Sequence, residues 1–275
     1  MINFKTKELR EVGIGETERA WNMEPPCQNG DSMEELTSPA YWDAWWTSAK
    51  SVVIPAFDRE YGRDGWFLRF MDQRYDVRGR TVAEIGGAMS YRLLSLAKWR
   101  DVRAVAIDYS AVGLKKTAEL FKENGVEVEC IHANMHDLSA HFDLLTHWGV
   151  LEHQCNVPSF IQDCRRLSQS MIFSMPNMLA WGMAEWKHYS PGNFARHIFH
   201  SDETVIEACR TVGFTCKPVF YGAPFISIAP VEVRTVLSGW LSACQTWACR
   251  LGNILPYEYG YKRISEHRVF LCNLE

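Results

Sequence analysis

Short apolar, β-branched runs recur along the middle of the chain, at residues 81–85, 102–107, 126–131, 142–148 and 170–175. Between them, over 91–99, 110–124 and 157–167, apolar residues return every three or four positions. That spacing marks helices that lay one stripe on a core. Ser110 suits a helix N-cap, and Asn124 followed by Gly125 suits a helix stop. Strands alternating with helices predict an α/β domain, a doubly wound sheet with helices on both faces.

The rhythm continues after residue 200. Ser201, Asp202 and Glu203 open a helix that closes at Gly213, and 214–221 reads as a strand. Residues 231–251 place Val233, Val236, Leu237, Trp240, Leu241, Cys244, Trp247 and Leu251 at helical spacing, and 267–274 reads as a last strand. A helix between two final strands predicts a closing, hairpin-like antiparallel pair instead of another parallel unit. Residues 1–79 precede the sheet and read as mostly helical after Ser38, which predicts an N-terminal helical cap on a main domain at 80–275. Residues 177–200 are rich in aromatics and contain Pro191-Gly192. An insertion of that kind at a strand end predicts a substrate lid.

Composition narrows the partners. The 275 residues are 47% hydrophobic and 23% charged, which predicts a packed core. A net charge of -4 argues against a nucleic-acid partner held on a broad basic face and points to a small molecule. The first residues carry no apolar signal core, and the apolar stretch 224–247 is interrupted by Pro230, Glu232 and Arg234, so no membrane span is expected. The nine cysteines form no C-x-x-C pair. Reduced thiols in a cytoplasmic protein are expected, without a disulfide framework or zinc cluster. Among eleven tryptophans, Trp42, Trp45 and Trp46 share one helical face. They read either as a core stripe docking the N-terminal helices or as an aromatic wall over a ligand.

The chemistry gathers at strand ends. Residues 82–90 read V-A-E-I-G-G-A-M-S, an apolar strand that runs through Glu84 into Gly86-Gly87 and then a helix. A turn without bulky side chains lets a ligand lie on the main chain. Gly86 and Gly87 can absorb left-handed geometry, while Ala88 and Ser90 require negative φ. The next strand ends in Asp108 and Tyr109, with Asp108 22 residues beyond Gly86. A carboxylate there can accept from both hydroxyls of a ribose, or it can serve only as the acid at a helix start. The third strand leads into Ala133, Asn134 and Met135. His132, His136 and Asp137 have the spacing of a metal set on a helix, but they fall in a loop, and no metal is assigned. The fourth strand and its exit read F-D-L-L-T-H-W-G-V-L-E-H, from Phe142 to His153.

With these residues in place, the chain resembles the class I S-adenosylmethionine-dependent methyltransferases of small-molecule type. The likeness is good over 80–175 and looser over 200–275. The family's acid–apolar–G-x-G-x-G motif aligns with Glu84, Ile85, Gly86, Gly87, Ala88, Met89 and Ser90. Alanine and serine stand at the second and third glycine positions. Asn134 stands where the family usually has an acid for the adenine amino group, with Met135 against the ring. The F-D run followed by V-L-E-H is the most specific match.

The resemblance implies a Rossmann-like, doubly wound, seven-stranded sheet, mostly parallel with an antiparallel last strand. It implies S-adenosyl-L-methionine as cofactor and S-adenosyl-L-homocysteine as product. It implies cofactor contacts at Glu84, Gly86, Gly87, Ala88, Ser90, Asp108, Tyr109, Asn134, Met135, His147 and Trp148. The reaction the resemblance implies is in-line methyl transfer to an oxygen, less readily a nitrogen, of a small molecule. Histidine is the natural base near neutral pH. His153 comes first by position and His197 second, with His188 and His200 behind them. Tyr41, Trp42, Trp181, Trp186 and Tyr189 are the expected substrate walls. Two other readings stay open. An NAD(P)-dependent oxidoreductase would place its G-x-G-x-x-G on Gly86, Ala88 and Tyr91, and a methyltransferase-like scaffold would bind without catalysis.

Overall fold

The computed structural model describes residues 37–48, 65–178, 180, 182–189, 191–224, 240 and 265–274. The chain divides into two compact units, Met1–Met33 and Glu34–Glu275, and every element below belongs to the second. Two helices, α1 (Pro39–Ser48) and α2 (Gly65–Arg74), precede the sheet. Five strands then alternate with helices: β1 (Thr81–Ile85), α3 (Tyr91–Arg100), β2 (Arg103–Asp108), α4 (Ala111–Glu123), β3 (Glu129–His132), β4 (Leu144–Trp148), α5 (Val157–Leu167) and β5 (Ser170–Pro176). The rest comprises α6 (Gly182–Tyr189), α7 (Pro191–Phe194), α8 (Asp202–Thr211), β6 (Phe214–Pro224) and β7 (Ser265–Leu274).

The sheet order is β3-β2-β1-β4-β5-β7-β6. β7 runs antiparallel to both β5 and β6, so it is the reversed strand among those described, as the closing pair at the chain's end predicted. The order changes direction between β1 and β4. Beyond the carboxyl ends of these two strands a crevice opens, the usual ligand position in such a sheet.

The central strands are buried on both faces, which is why they read as continuous apolar runs without alternation. Ala83, Ile85, Val105 and Ile107 pack with Val157, Phe160, Ile161 and Cys164 of α5 and Val205, Ala208 and Cys209 of α8. On the opposite face, Val82, Ala104 and Ala106 pack with α3, α4, and Phe67, Leu68 and Met71 of α2. Ser90, Ser110, Asn156 and Ser201 each accept from the backbone amide three residues on and start α3, α4, α5 and α8. Arg100 at the end of α3 grips Asp72 of α2 through two bonds of 2.6 and 2.7 Å, a paired geometry that fixes orientation as well as distance.

Some boundaries moved. β3 starts at Glu129, because Val126 and Val128 pack against the core before the ladder with β2 begins. Phe142 makes only an isolated bridge to Ser168, and β4 proper begins at Leu144. Most of the helix expected over 231–251 lies outside the described residues. Cys155 is disulfide-bonded, a correction to the expectation of reduced thiols throughout. Cys130, Cys164, Cys209, Cys216 and Cys272 are free. Cys209 of α8 and Cys216 and Cys272 of the β6–β7 pair come together, with Sγ–Sγ distances of 3.7 and 2.8 Å. No described helix is long and apolar enough to cross a membrane.

Candidate cofactor and acceptor site

A cavity of about 200 Å³ lies beyond the ends of β1, β2 and β4. Its floor is the turn after β1. Gly86 takes φ +67°, and a Cβ there would stand 2.6 Å from Cγ2 of Val150. The position therefore needs glycine for conformation and for space. The other left-handed residue of the turn is Met89, φ 54°, while Ala88 and Ser90 keep negative φ, as their side chains require. Thr117 of α4 holds this unusual turn: its hydroxyl accepts from Met89 N at 2.8 Å and donates to the carbonyl of Gly87 at 2.9 Å.

Asp108 forms the side wall. Its Oδ2 accepts from Ala88 N at 3.1 Å and its Oδ1 from Ser110 N at 2.7 Å. Burial pushes its carboxyl up to about 6 against these two bonds, and nearby Asp43 pushes the same way. Asp43 of α1 accepts from the Ser110 hydroxyl at 2.6 Å, which docks α1 on the start of α4. Thr37, Trp42 and Trp46 thereby reach the cavity. The two indoles stack 6.4 Å apart, while Trp45 turns away, 44% exposed. Both readings of the tryptophan stripe hold in part, since the pair that docks α1 also walls the cavity.

At the other end, the short turn Leu151–His153 brings His153 to the cavity. Its Nδ1 donates to the carbonyl of Arg196 at 2.8 Å. Rings then follow in a row. Tyr41 meets Trp42 at 5.2 Å, Trp42 meets His153 at 5.4 Å, His153 meets His197 at 4.6 Å and His197 meets Trp186 at 4.6 Å. Burial lowers His153 to about 4, with His197 adding to the shift, and burial also lowers His197. Both imidazoles are neutral at neutral pH.

Of the residues expected from the sequence, Gly86, Ala88, Asp108, Tyr109, Asn134, Met135, Trp148, His153 and Trp42 line the cavity. Four expected cofactor residues lie behind it. Gly87 is packed against Ala106, where a Cβ would stand 2.9 Å from the Ala106 Cβ. Ser90 spends its hydroxyl capping α3. Glu84 is buried in the sheet, and burial raises it to about 7. His147 stacks on Phe173 at 4.6 Å inside the core, and burial depresses it to about 3. Tyr41, Trp186 and His197 belong to the ring row at the cavity's end. Trp181 and the side chain of Tyr189 lie outside the described residues. His136 pairs with Asp163, and His132 Nε2 donates to the carbonyl of Tyr109 at 3.1 Å, so the metal spacing noted in that loop is not assembled. Thr37, Trp46, Val150, Gln154 and Phe160 also line the cavity; Trp46 carried a signal as a member of the tryptophan stripe and Val150 as the first residue of V-L-E-H, while Thr37, Gln154 and Phe160 carried none.

Residues 82–170 match the family model of a methyltransferase domain, and they contain the turn, Asp108 and the exit of β4. Those residues form a methyltransferase domain of the class I, S-adenosylmethionine-dependent type. Solved structures share the fold of this methyltransferase at low identity. Magnesium protoporphyrin IX methyltransferase from Synechocystis PCC 6803, with bound S-adenosylhomocysteine, is 12% identical at a TM-score of 0.53, covering 85% of this chain and 94% of that one. A sarcosine dimethylglycine methyltransferase candidate from Galdieria sulphuraria is 9% identical at 0.51, covering 77% and 85%. The [4+2]-cyclase SpnF is 14% identical at 0.52, covering 77% and 81%, a reminder that this fold hosts more than one reaction. No curated protein sequence matches the chain.

The residues of the methyltransferase cavity suit its cofactor, S-adenosylmethionine. The backbone at Gly86 is bare where a side chain would collide with Val150. The Asp108 carboxylate is fixed by two amides at the end of the second strand. Ile107, Met135 and Phe160 add apolar wall, and Asn134 a polar group.

Proposed function

We propose that this methyltransferase acts on an oxygen of a small molecule, seated where His153 meets the 177–200 insertion. The observation that carries this reading is the row of rings from Tyr41 to Trp186. It surrounds two neutral imidazoles with apolar faces, a setting for an acceptor with a ring or apolar body and a hydroxyl. When bound, S-adenosylmethionine would supply an electrophilic methyl group for transfer to that oxygen. Gly86, Ala88, Asp108, Asn134 and Met135 hold and orient the cofactor. Trp42, Trp46 and Trp186 keep water from the acceptor. His153 and His197 stand on the side from which the hydroxyl proton leaves, and their depressed basicity keeps them uncharged there.

The net charge of -4 supports a small acceptor over a nucleic acid. Tyr91, the first residue of α3, weighs against the oxidoreductase reading, because that fingerprint needs a glycine there for close helix packing. Among the described residues, five free cysteines support a cytoplasmic setting, and the disulfide-bonded Cys155 weighs against it.

A panel of hydroxyl-bearing and amine-bearing ring compounds, assayed for S-adenosylhomocysteine release and for gain of a methyl by mass spectrometry, tests the reading. Transfer to hydroxyl compounds is expected. Transfer confined to amines, or none across the panel by protein that binds S-adenosylhomocysteine, overturns it.

A further inference from the structure

We infer that Glu152, His153 and His197 form a site for one divalent first-row transition-metal ion at the acceptor end of the cavity. A ring nitrogen of each histidine and a carboxylate oxygen of Glu152 lie within 4.8 Å of one another. An ion bonded at about 2.0–2.2 Å to nitrogen and oxygen ligands holds them roughly 3–3.5 Å apart. Side-chain movements of about 1 Å therefore close this set. Two histidines and one carboxylate are the donor set of ions that keep further coordination positions open.

The backbone prepares both rings for this task. His153 Nδ1 donates to the carbonyl of Arg196 at 2.8 Å, and His197 Nδ1 donates to the carbonyl of Asn193 at 2.9 Å. A carbonyl only accepts, so each neutral ring carries its proton on Nδ1 and its lone pair on Nε2. Tying the second nitrogen to a carbonyl is what orients metal-ligating histidines and selects their tautomer. The amide of Ile198 donates to the Glu152 carbonyl at 2.7 Å. Both neighbours of His197 are thus bonded to the Glu152–His153 pair, and the three donors are held together across 44 residues of sequence.

The carboxylate supplies the second observation. Glu152 is 3% exposed, and its Oε2 has no hydrogen-bond partner. A buried oxygen left in that state is costly, and a cation between Glu152 and the two imidazoles satisfies it. Arg268, the cation whose charge reaches Glu152, is already held by Asp202 at 2.6 Å and by the His200 carbonyl at 2.9 Å.

The inference deepens the proposed function and rests on reading this end of the cavity as the acceptor's place. His153 lines the cavity, so open positions on the ion face it and suit an acceptor that offers oxygen donors. The two histidines then act on the acceptor's hydroxyl through the ion.

The test uses the full chain, stripped with EDTA and titrated with Co(II), followed by visible absorption and calorimetry. One ion per chain is expected, with d–d bands and without sulfur-to-metal charge transfer. Glu152→Gln and His197→Gln should each weaken Co(II) binding by about 10-fold or more while leaving S-adenosylhomocysteine affinity at the wild-type value. Circular dichroism and that affinity certify each fold, and His197→Ala replaces a variant that fails. Absence of saturable binding overturns the inference, as does wild-type affinity in a folded His197 variant. Charge-transfer bands that vanish in Cys272→Ser also overturn it, by assigning the ion to the Cys209–Cys216–Cys272 cluster. Failure of the wild type to bind S-adenosylhomocysteine would instead remove the methyltransferase reading, and the metal titration reports separately.

Discussion

A Cβ on Gly113 would stand 2.6 Å from the Cβ of Ala88. The methyl that replaces a glycine hydrogen in the turn after β1 is accommodated by a glycine on α4. The same absent side chain admits Trp46, whose Cδ1 would stand 2.9 Å from that Cβ. Gly113→Ala is therefore expected to cost about 1–3 kcal/mol by overpacking and to weaken cofactor binding. Ala88→Gly in the same chain should restore part of both, because it removes one of the two collisions. Thermal melts and calorimetric titration of the single and double variants measure the coupling; strictly additive effects would show that the two positions are independent.

The buried titratable groups set opposite pH limits. Glu84 and Glu152 have carboxyls raised to about 7 and about 8 by burial. Raised acids bind protons better in the folded state, so their stability contribution is full at low pH and is lost as pH rises through those values. His147 and His153 are depressed to about 3 and about 4, and their contribution is lost as pH falls from the ordinary histidine range toward those values. Among the carboxyls and imidazoles, the acids are the groups that act between pH 6.5 and 8. Cys209, whose thiol is lowered to about 5 by hydrogen bonds to Cys216 and Cys272, acts in the opposite sense there, so the measurement is made in Cys209→Ser. The melting temperature of metal-stripped protein should fall across that window, and Glu152→Gln should flatten its upper half. A melting temperature that rises over the same window would refute the burial argument.

At the acceptor end, His153→Gln is expected to lower turnover by about 100-fold or more while leaving S-adenosylhomocysteine affinity within about 3-fold. The variant removes the imidazole proposed to face the acceptor and leaves the turn and Asp108 intact. Loss of affinity without a separate loss of turnover would move His153 to the cofactor side.

Tryptophan emission offers a simpler check. Trp42, Trp46 and Trp148 line the cavity and Trp45 does not. Cofactor binding should change emission in the wild type and in Trp45→Phe alike. The change should shrink in Trp42→Phe and Trp46→Phe; an equal response in all four proteins would place the ligand elsewhere.

The alternation of strands and helices was legible in sequence because the central strands are buried on both faces and their helices carry one apolar stripe. Gly86 and Asp108 were legible because they sit at strand ends, where main-chain geometry limits the residue types. His147 misled, since its neighbours in the β4 exit line the cavity while its own ring is clamped between Phe173 and Phe160 in the core. Ser90 misled because a helix cap and a cofactor turn favour the same small residue. Trp46, not Trp45, joined Trp42, a difference of one position that helical spacing alone does not decide. The assembly of Glu152 with His197 was invisible, because backbone hydrogen bonds between distant segments create it.

The central claim is that the cavity beside Asp108 holds the adenosine cofactor, and calorimetric titration with S-adenosylhomocysteine tests it most directly. One site per chain is expected, weakened by about 10-fold or more in Asp108→Asn, the loss of hydrogen bonds to a charged acceptor. No binding by the wild type, or equal affinity in a folded Asp108→Asn, would contradict the claim.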